Sequence, residues 1–327
     1  MKAVVLEKTC RANELEVKEV SIPKVKPDWA LVRVIGFGIN RSEIILRDYE
    51  ADEDYINLPV IPGIECVGEI VDPSNTTFSQ GDKVVGLMGG MGRTFDGSYA
   101  QYALLPSKNL FKIPDFAFKD LLIEEIIAIP ETYFTAYGSI EGLQLKKDDT
   151  ILIRGATSAA GLSAMKLAEA MGSTIIATTR NESKAAKLFS NHADYVVIDD
   201  GEIEGKVKDI CPEGVDNVLE LVGPKTLEDS MKCLKEGGIC CNTGILGGLE
   251  YIQEFDAIKT IPNNRYLTSF FSNYPTQETI DNLFKFIVEH DITPNIAATF
   301  TNLEDIGKAH ELMESNKTNG KIIFRLK

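Results

Sequence analysis

A chain of 327 residues is too long for one small core and fits two domains. With 44% hydrophobic and 25% charged residues it has the composition of an ordinary soluble protein, without low-complexity tracts or internal repeats. The net charge of -15 argues against a protein that lives on nucleic-acid backbones, which demand a dense cationic surface, but it leaves room for a local basic pocket around one cofactor.

The N-terminus turns charged again at Glu7 before a signal-peptide core could form, and no apolar run approaches membrane-spanning length. A cytoplasmic protein without membrane or nucleic-acid partners is therefore expected. Short strand signals at 29–35, 66–71, 83–87 and 98–105, punctuated by turns, predict a compact, mostly β first domain. From Ile123 the pattern changes to helix and then to alternating strands and helices. Strands are predicted at 151–153, 175–178, 195–198, 217–219, 239–242 and 266–270, with helices at 183–189, 206–210 and 226–234 between them. This alternation predicts an α/β fold with a doubly wound parallel sheet. The last segment, from Asp291, holds a helical stretch at 303–314 and a final strand at 321–326. Cys10, Cys66, Cys211, Cys233, Cys240 and Cys241 show no paired spacing and read as free thiols of a reducing compartment, with Cys240 and Cys241 on opposite faces of a strand.

The strand signal ending at Arg154 runs straight into Gly155-Ala156-Thr157-Ser158-Ala159-Ala160-Gly161, and a helical pattern follows at once. A turn of small residues lets backbone N–H groups and the helix N-terminus close around a phosphate, and bulk there would keep a pyrophosphate off the main chain. A well-packed strand-to-helix turn without a ligand is the other reading. After the turn, Leu162, Met165, Ala168 and Met171 recur at helical spacing, Gly172 stops the helix, and a second buried strand follows at 174–178. That is the length of a right-handed parallel crossover, the first half of a nucleotide-binding fold.

The end of the second strand selects the dinucleotide. A carboxylate there suits the ribose hydroxyls of NAD, whereas a cation with hydroxyls suits the extra phosphate of NADP. The chain reads Thr178-Thr179-Arg180-Asn181, with Lys184 one turn on and Glu182 set back into the next helix start. NADPH is the expected cofactor, with Arg180 on the phosphate and Thr178 and Lys184 in support; an exposed cationic helix start is the alternative.

Several phrases converge on one family. They are 36–43 (Gly-Phe-Gly-Ile-Asn-Arg-Ser-Glu), 61–70 (Ile-Pro-Gly-Ile-Glu-Cys-Val-Gly-Glu-Ile), 81–84, 97–102, 135–137 (Thr-Ala-Tyr) and the closing Asn319-Gly320-Lys321-Ile322-Ile323. With the Ala-rich turn they resemble medium-chain dehydrogenase/reductases over essentially the whole chain. More narrowly they resemble the zinc-independent, NADPH-dependent quinone oxidoreductase branch. The resemblance implies a discontinuous GroES-like catalytic domain, 1–122 completed by 291–327, and a Rossmann domain over 123–290, with the active site in the cleft and a homodimer formed through the strand at 266–270.

The departures from zinc-bearing members are informative. Where a catalytic zinc needs a cysteine the chain has Asn40, and where it needs a histidine the chain has Ile64; residues 88–113 hold none of the cysteines of a structural zinc. His192, His290 and His310 show no ligand spacing. Alcohol oxidation needs an alkoxide stabiliser, normally the metal, so attention moves to hydride acceptors that need only hydrogen-bond donors and a later proton.

The resemblance places Asn40 near the nicotinamide, bonded to substrate or to a cofactor hydroxyl. It places Thr135 on the carboxamide or ribose, and the loop carrying Gly244 and Leu246 around the ring pocket. Gly155, Thr157, Ser158, Ala159 and Ala160 fall at the pyrophosphate, and Asn264 and Arg265 become further pyrophosphate candidates. Tyr49 falls where some enoyl reductases carry a proton-donating tyrosine, although Leu46-Arg47-Asp48-Tyr49 lacks the usual preceding glycine and an exposed Tyr49 is the other reading. Arg41 is a candidate for an anionic acceptor group. The expected activity is zinc-independent, NADPH-dependent reduction of a quinone or α,β-unsaturated carbonyl. The alternatives are a trans-enoyl thioester reductase and, from another class, a non-catalytic NADPH-binding or redox-sensing protein.

Overall fold

A computed structural model describes residues 1–249, 251–273 and 275–327. Its strands, in chain order, are β1 (Lys2–Val4), β2 (Val17–Glu19), β3 (Trp29–Ile39), β4 (Glu65–Asp72), β5 (Lys83–Leu87), β6 (Tyr102–Pro106), β7 (Leu110–Lys112), β8 (Thr150–Arg154), β9 (Thr174–Thr179), β10 (Tyr195–Ile198), β11 (Val215–Glu220), β12 (Leu234–Asn242), β13 (Tyr266–Ser269), β14 (Ile296–Phe300) and β15 (Lys321–Arg325). The chain divides into two compact units, Met1–Glu131 with Ser272–Lys327, and Thr132–Phe271.

The first unit is built on a seven-stranded sheet ordered β14-β15-β3-β4-β5-β7, with β6 also paired to β3. β3 is its organiser: an almost unbroken apolar run, buried along most of its length, takes partners on both edges. Gly36 is obligatory there, because a Cβ would lie 2.4 Å from the Phe324 carbonyl oxygen on β15. Under the sheet Phe37 stacks between Tyr99 and Phe324, with centroids 4.8 and 4.9 Å away. The Tyr99 hydroxyl meets His310 Nε2 at 3.2 Å, the histidine coming from the helix Ile306–Glu314.

Unit boundaries differ from the sequence expectation at both ends. Residues 123–131 belong to the first unit because the helix Ile123–Ala128 packs its apolar face on β15 and β3. The helix Gln277–Glu289 also belongs there, packed on β7 and clamped by the Gln277 amide, which bonds both the N–H (2.8 Å) and the C=O (2.9 Å) of Lys112. The strand expected at 98–105 begins only at Tyr102, since the preceding residues cross β1 instead: Ala100 bridges Ala3, and Val4 donates to the Tyr99 carbonyl at 2.9 Å.

The second unit is the expected doubly wound sheet, all parallel in the order β10-β9-β8-β11-β12-β13. The order reverses between β8 and β11, which opens a switch point at their carboxyl ends. Ile175–Thr179 and Ile151–Arg154 are buried on both faces, as parallel strands covered by helices must be.

Burial and the neighbouring Arg47 guanidinium push the His310 imidazole down to about 3, so it sits neutral in the core. Unfolding restores an ordinary value of about 6.5, so the unfolded chain binds more protons and stability falls by up to about 1.4 kcal/mol per pH unit as the pH drops below that. In urea titrations from about pH 7 to about pH 5, His310→Gln is expected to lose this component of the slope. Equal slopes in the two proteins would contradict a neutral buried ring.

Candidate active site

The small-residue turn after β8 is assembled at the carboxyl edge of the parallel sheet. Gly155 takes φ +85°, which admits a glycine without strain, and its N–H donates to Thr178 Oγ1 at 3.1 Å. Ser158 caps the helix Ala159–Ala170: its hydroxyl accepts the Gly161 N–H at 3.0 Å and donates to the Gly155 carbonyl at 2.9 Å, while its carbonyl accepts from Leu162. The Ala159 and Ala160 amides, with no preceding helical turn to bond, are directed out of the N-terminus. Gly161 is forced by the close strand–helix approach, since a Cβ would sit 2.6 Å from Ala156 Cα. Thr157, Ser158, Ala159 and Ala160 are half-buried and reachable. Small residues before a helix N-terminus make this turn a candidate for an anion, with a dipole of the right sign.

Two neighbouring loops close on it. A Cβ on Gly155 would contact Leu221 and Leu246, at 3.2 and 3.3 Å; Leu246 N–H bonds the Leu221 carbonyl at 3.1 Å and Gly247 N–H that of Val222 at 2.8 Å. The buried Glu220 carboxylate holds the first of these loops by accepting the Val222 and Gly223 N–H groups at 2.6 and 2.9 Å. Thr135, half-buried on the helix Pro130–Leu143, joins through a chain: its carbonyl accepts Ser139 Oγ at 2.6 Å, which meets Thr243 Oγ1 at 2.8 Å just before Gly244.

Among the residues assigned from sequence to the adenosine end, Arg180 lies exposed at the tip of β9 and Lys184 lies half-buried in the turn Glu182–Lys184. Thr178 differs in role: it is buried and its hydroxyl is committed to Gly155, so it shapes the turn rather than facing a phosphate. Arg265 does not lie where the sequence suggests. It precedes β13, whose register pairs Tyr266 with Ile239, that with Asn217, and that with Ile151, so it lies at the amino edge of the sheet. At about 3.3 Å per residue the length of β8 separates it from the turn. Its guanidinium bonds the carbonyls of Leu234 (3.3 Å) and Asn263 (2.7 Å), and Asn264 bonds Glu236 at 2.7 Å; neither faces a pyrophosphate.

In the first unit, Asn40 ends β3 as N-cap of the helix Arg41–Asp48 and heads a buried charged cluster. Its Nδ2 donates to Glu65 Oε1 at 2.9 Å and, more weakly, toward Glu43 Oε1 at 3.4 Å; its Oδ1 accepts from Lys321 Nζ. Lys321 Nζ lies 2.6 Å from Glu65 Oε1, with side-chain exposures of 3% and 0%. Glu65 Oε2 accepts the Glu131 N–H in the first turn of the helix Pro130–Leu143 at 2.8 Å. Glu43, also buried, accepts the N–H groups of Asn40 (2.7 Å) and Ile64 (3.0 Å), and burial pushes its carboxyl above the ordinary range. Gly38 has no side chain because one would strike Lys321 and Glu65.

This cluster does not fit a metal. An ammonium fills the space between Asn40 and Glu65, Ile64 offers no ligand, and among the described residues no three His, Cys, Asp or Glu side chains converge. The remaining sequence candidates are not drawn into it. Tyr49 is 52% exposed at the helix C-cap. Arg41 is half-buried and bonds Asn316 Oδ1 at 3.2 Å.

Sequence reasoning missed three participants. Glu65 and Lys321 stood inside quoted phrases, and their charge in otherwise apolar strands was the available signal. Arg154 was the other: it is wholly buried at the last position of β8, forks onto Asp199 (2.8 and 2.9 Å) and bonds Asp229 (2.7 Å), so it ties together the segments after β10 and β11.

Comparison with known proteins gives the family. The alcohol dehydrogenase GroES-like domain family matches residues 26–115 and the zinc-binding dehydrogenase family matches 159–289. An acryloyl-coenzyme A reductase of Metallosphaera sedula is 25% identical over 99% of both chains, and the quinone oxidoreductase of Homo sapiens is 26% identical over 94% of this chain and 92% of its own. A mycobacterial protein solved with NADPH superposes with a TM-score of 0.83 at 23% identity, over 99% of this chain and 100% of that one. The chain belongs to the medium-chain dehydrogenase/reductase superfamily, in its quinone oxidoreductase-like branch. It is an oxidoreductase with a nicotinamide cofactor.

Removing the Lys321 ammonium leaves two buried carboxylates without a cation. Lys321→Met is expected to cost about 3–5 kcal/mol in urea denaturation, and Lys321→Met with Glu65→Gln to recover part of it. Strictly additive losses would contradict the pairing.

Proposed function

We propose that this protein is an NADPH-dependent reductase of quinones or α,β-unsaturated carbonyls that works without a metal at the acceptor. The observation that carries the reading is the Lys321 ammonium bonded between Asn40 and Glu65, in a superfamily whose metal-bearing members need ligands at Asn40 and Ile64. A centre of this kind lacks the Lewis acid that alcohol oxidation relies on, which favours acceptors whose reduced form is already a stabilised anion. The names of the reported relatives, a quinone oxidoreductase and an acryloyl-coenzyme A reductase, support the same acceptor chemistry. The bound cofactor supplies a hydride, two electrons and one hydrogen, and a solvent proton completes the reduced acceptor.

The protein's part is binding and alignment. The Ala159 and Ala160 amides, with Gly155, Thr157 and Ser158, take the pyrophosphate, and Arg180 with Lys184 takes the 2′-phosphate. Thr135 and the loop carrying Gly244 and Leu246 bound the nicotinamide. Asn40, its donors spent on carboxylates, offers Oδ1 to a hydroxyl. The mycobacterial relative's NADPH supports the choice of cofactor. In the enoyl thioester alternative Tyr49 would donate the proton, and Tyr49→Phe would slow thioester turnover.

We take the assembly to be a homodimer through β13, an edge strand flanked by Tyr266 and Phe271, 60% and 75% exposed. Cytoplasmic residence fits six free cysteines and, among the described residues, no helix long and apolar enough to cross a membrane.

Oxidation of NADPH should be followed against a simple quinone, an alkenal and an enoyl thioester. Turnover of the quinone or alkenal is expected, while tight NADPH binding without turnover of any acceptor would favour the binding or sensing alternative. Arg180→Ala is expected to raise the NADPH KM about 10- to 100-fold and leave that for NADH nearly unchanged. Equal effects on both cofactors would contradict a phosphate contact. Sedimentation as a monomer at micromolar concentration would contradict the dimer.

A further inference from the structure

We infer that the acceptor at this site is uncharged around its reacting carbonyl, and that acceptors carrying an anionic group there are rejected. The inference rests on the proposed reading that Asn40 faces the acceptor, and it narrows that reading from electron-poor acceptors in general to neutral ones.

Three observations support it. The first is the charge of the buried centre. Glu43 and Glu65 share one ammonium, that of Lys321, and all the contacts they accept come from donors: the amides of Asn40, Ile64 and Glu131, the Asn40 side chain and the lysine itself. With both carboxylates ionised the centre carries one negative charge, and with Glu43 protonated it is neutral. In neither state does it offer an anion a positive partner.

The second is the orientation of Asn40. Its Nδ2 cannot face Lys321, because two donors would oppose each other, so the ammonium fixes Oδ1 inward on itself and Nδ2 on the carboxylates. What Asn40 has left is an acceptor lone pair on Oδ1. That can accept from a hydroxyl or from the N–H of a neutral amide, and it has no hydrogen to give to a carboxylate or sulfonate oxygen.

The third is the commitment of the other cations. Arg93 forks onto Glu50 at 2.8 and 2.6 Å and also bonds Ser42, and Arg47 is paired to Asp48 and Glu314. Residues 40–65 hold seven carboxylates against two cations, so the field over this segment repels anions before they arrive. Arg41 bonds a neutral amide, Asn316, rather than a carboxylate, and it defines the competing account.

The test compares two quinones of matched shape with the full chain and NADPH: 1,4-naphthoquinone-2-sulfonamide, which is neutral, and 1,4-naphthoquinone-2-sulfonate. The sulfonamide is the stronger electron-withdrawing group, so each kcat/KM is divided by the rate at which a neutral dihydronicotinamide reduces the same quinone without protein, and only the remaining preference is ascribed to charge. The expected result is a kcat/KM for the sulfonamide higher by about 30-fold or more, with the gap narrowing as salt screens the repulsion. Equal values, or a preference for the sulfonate that collapses in Arg41→Ala, would overturn the inference and make Arg41 an anion receptor. If neither quinone is reduced, the proposed activity fails on its own account. The charge preference is then read from equilibrium dialysis of the same two compounds, where tighter sulfonamide binding supports it and equal binding overturns it.

Discussion

The buried polar cluster of the first unit depends on one ammonium. Lys321 comes from the last strand, Asn40 from the end of β3, Glu65 from the start of β4, and their bonds join three chain segments that lie far apart in sequence. A lysine taken out of water needs a carboxylate within reach, and a carboxylate so paired still needs its remaining lone pairs filled. Glu65 meets both demands, because its second oxygen takes a helix N-terminal amide. The side chains on which chemistry would turn are thus held by the same contacts that close the sheet.

A comparable arrangement operates at the cofactor end. Arg154, buried at the mouth of the turn, carries a full charge into the interior and is satisfied by two aspartates and the carbonyls of Gly201 and Thr226. Glu220 does the converse, a buried carboxylate gathering the donors of the loop after β11. Such networks are costly if one member is lost and rigid if all are present, and rigidity is what an alignment-driven hydride transfer requires.

Much of this was legible in the sequence, and the rest was not for identifiable reasons. The six parallel strands and the turn at Gly155 follow from periodicity and small residues, signals that are local. The missing metal ligands at Asn40 and Ile64 were readable by position. Arg265 was misplaced because a strand's neighbours in sequence do not reveal which edge of the sheet they occupy; only the register shows it at the amino edge. Thr178 was read as a phosphate ligand because a hydroxyl at a strand tip looks the same whether it faces a ligand or, as here, the Gly155 amide. Lys321 and Glu65 pair across 256 positions, beyond the reach of periodicity or local propensity.

The central claim is that a lysine-centred, metal-free site carries the reduction. Its most direct measurement is the rate of NADPH-dependent quinone reduction by protein dialysed exhaustively against a chelator, with and without added zinc. The account predicts an undiminished rate that zinc does not raise. A rate lost on chelation and restored by zinc would contradict it.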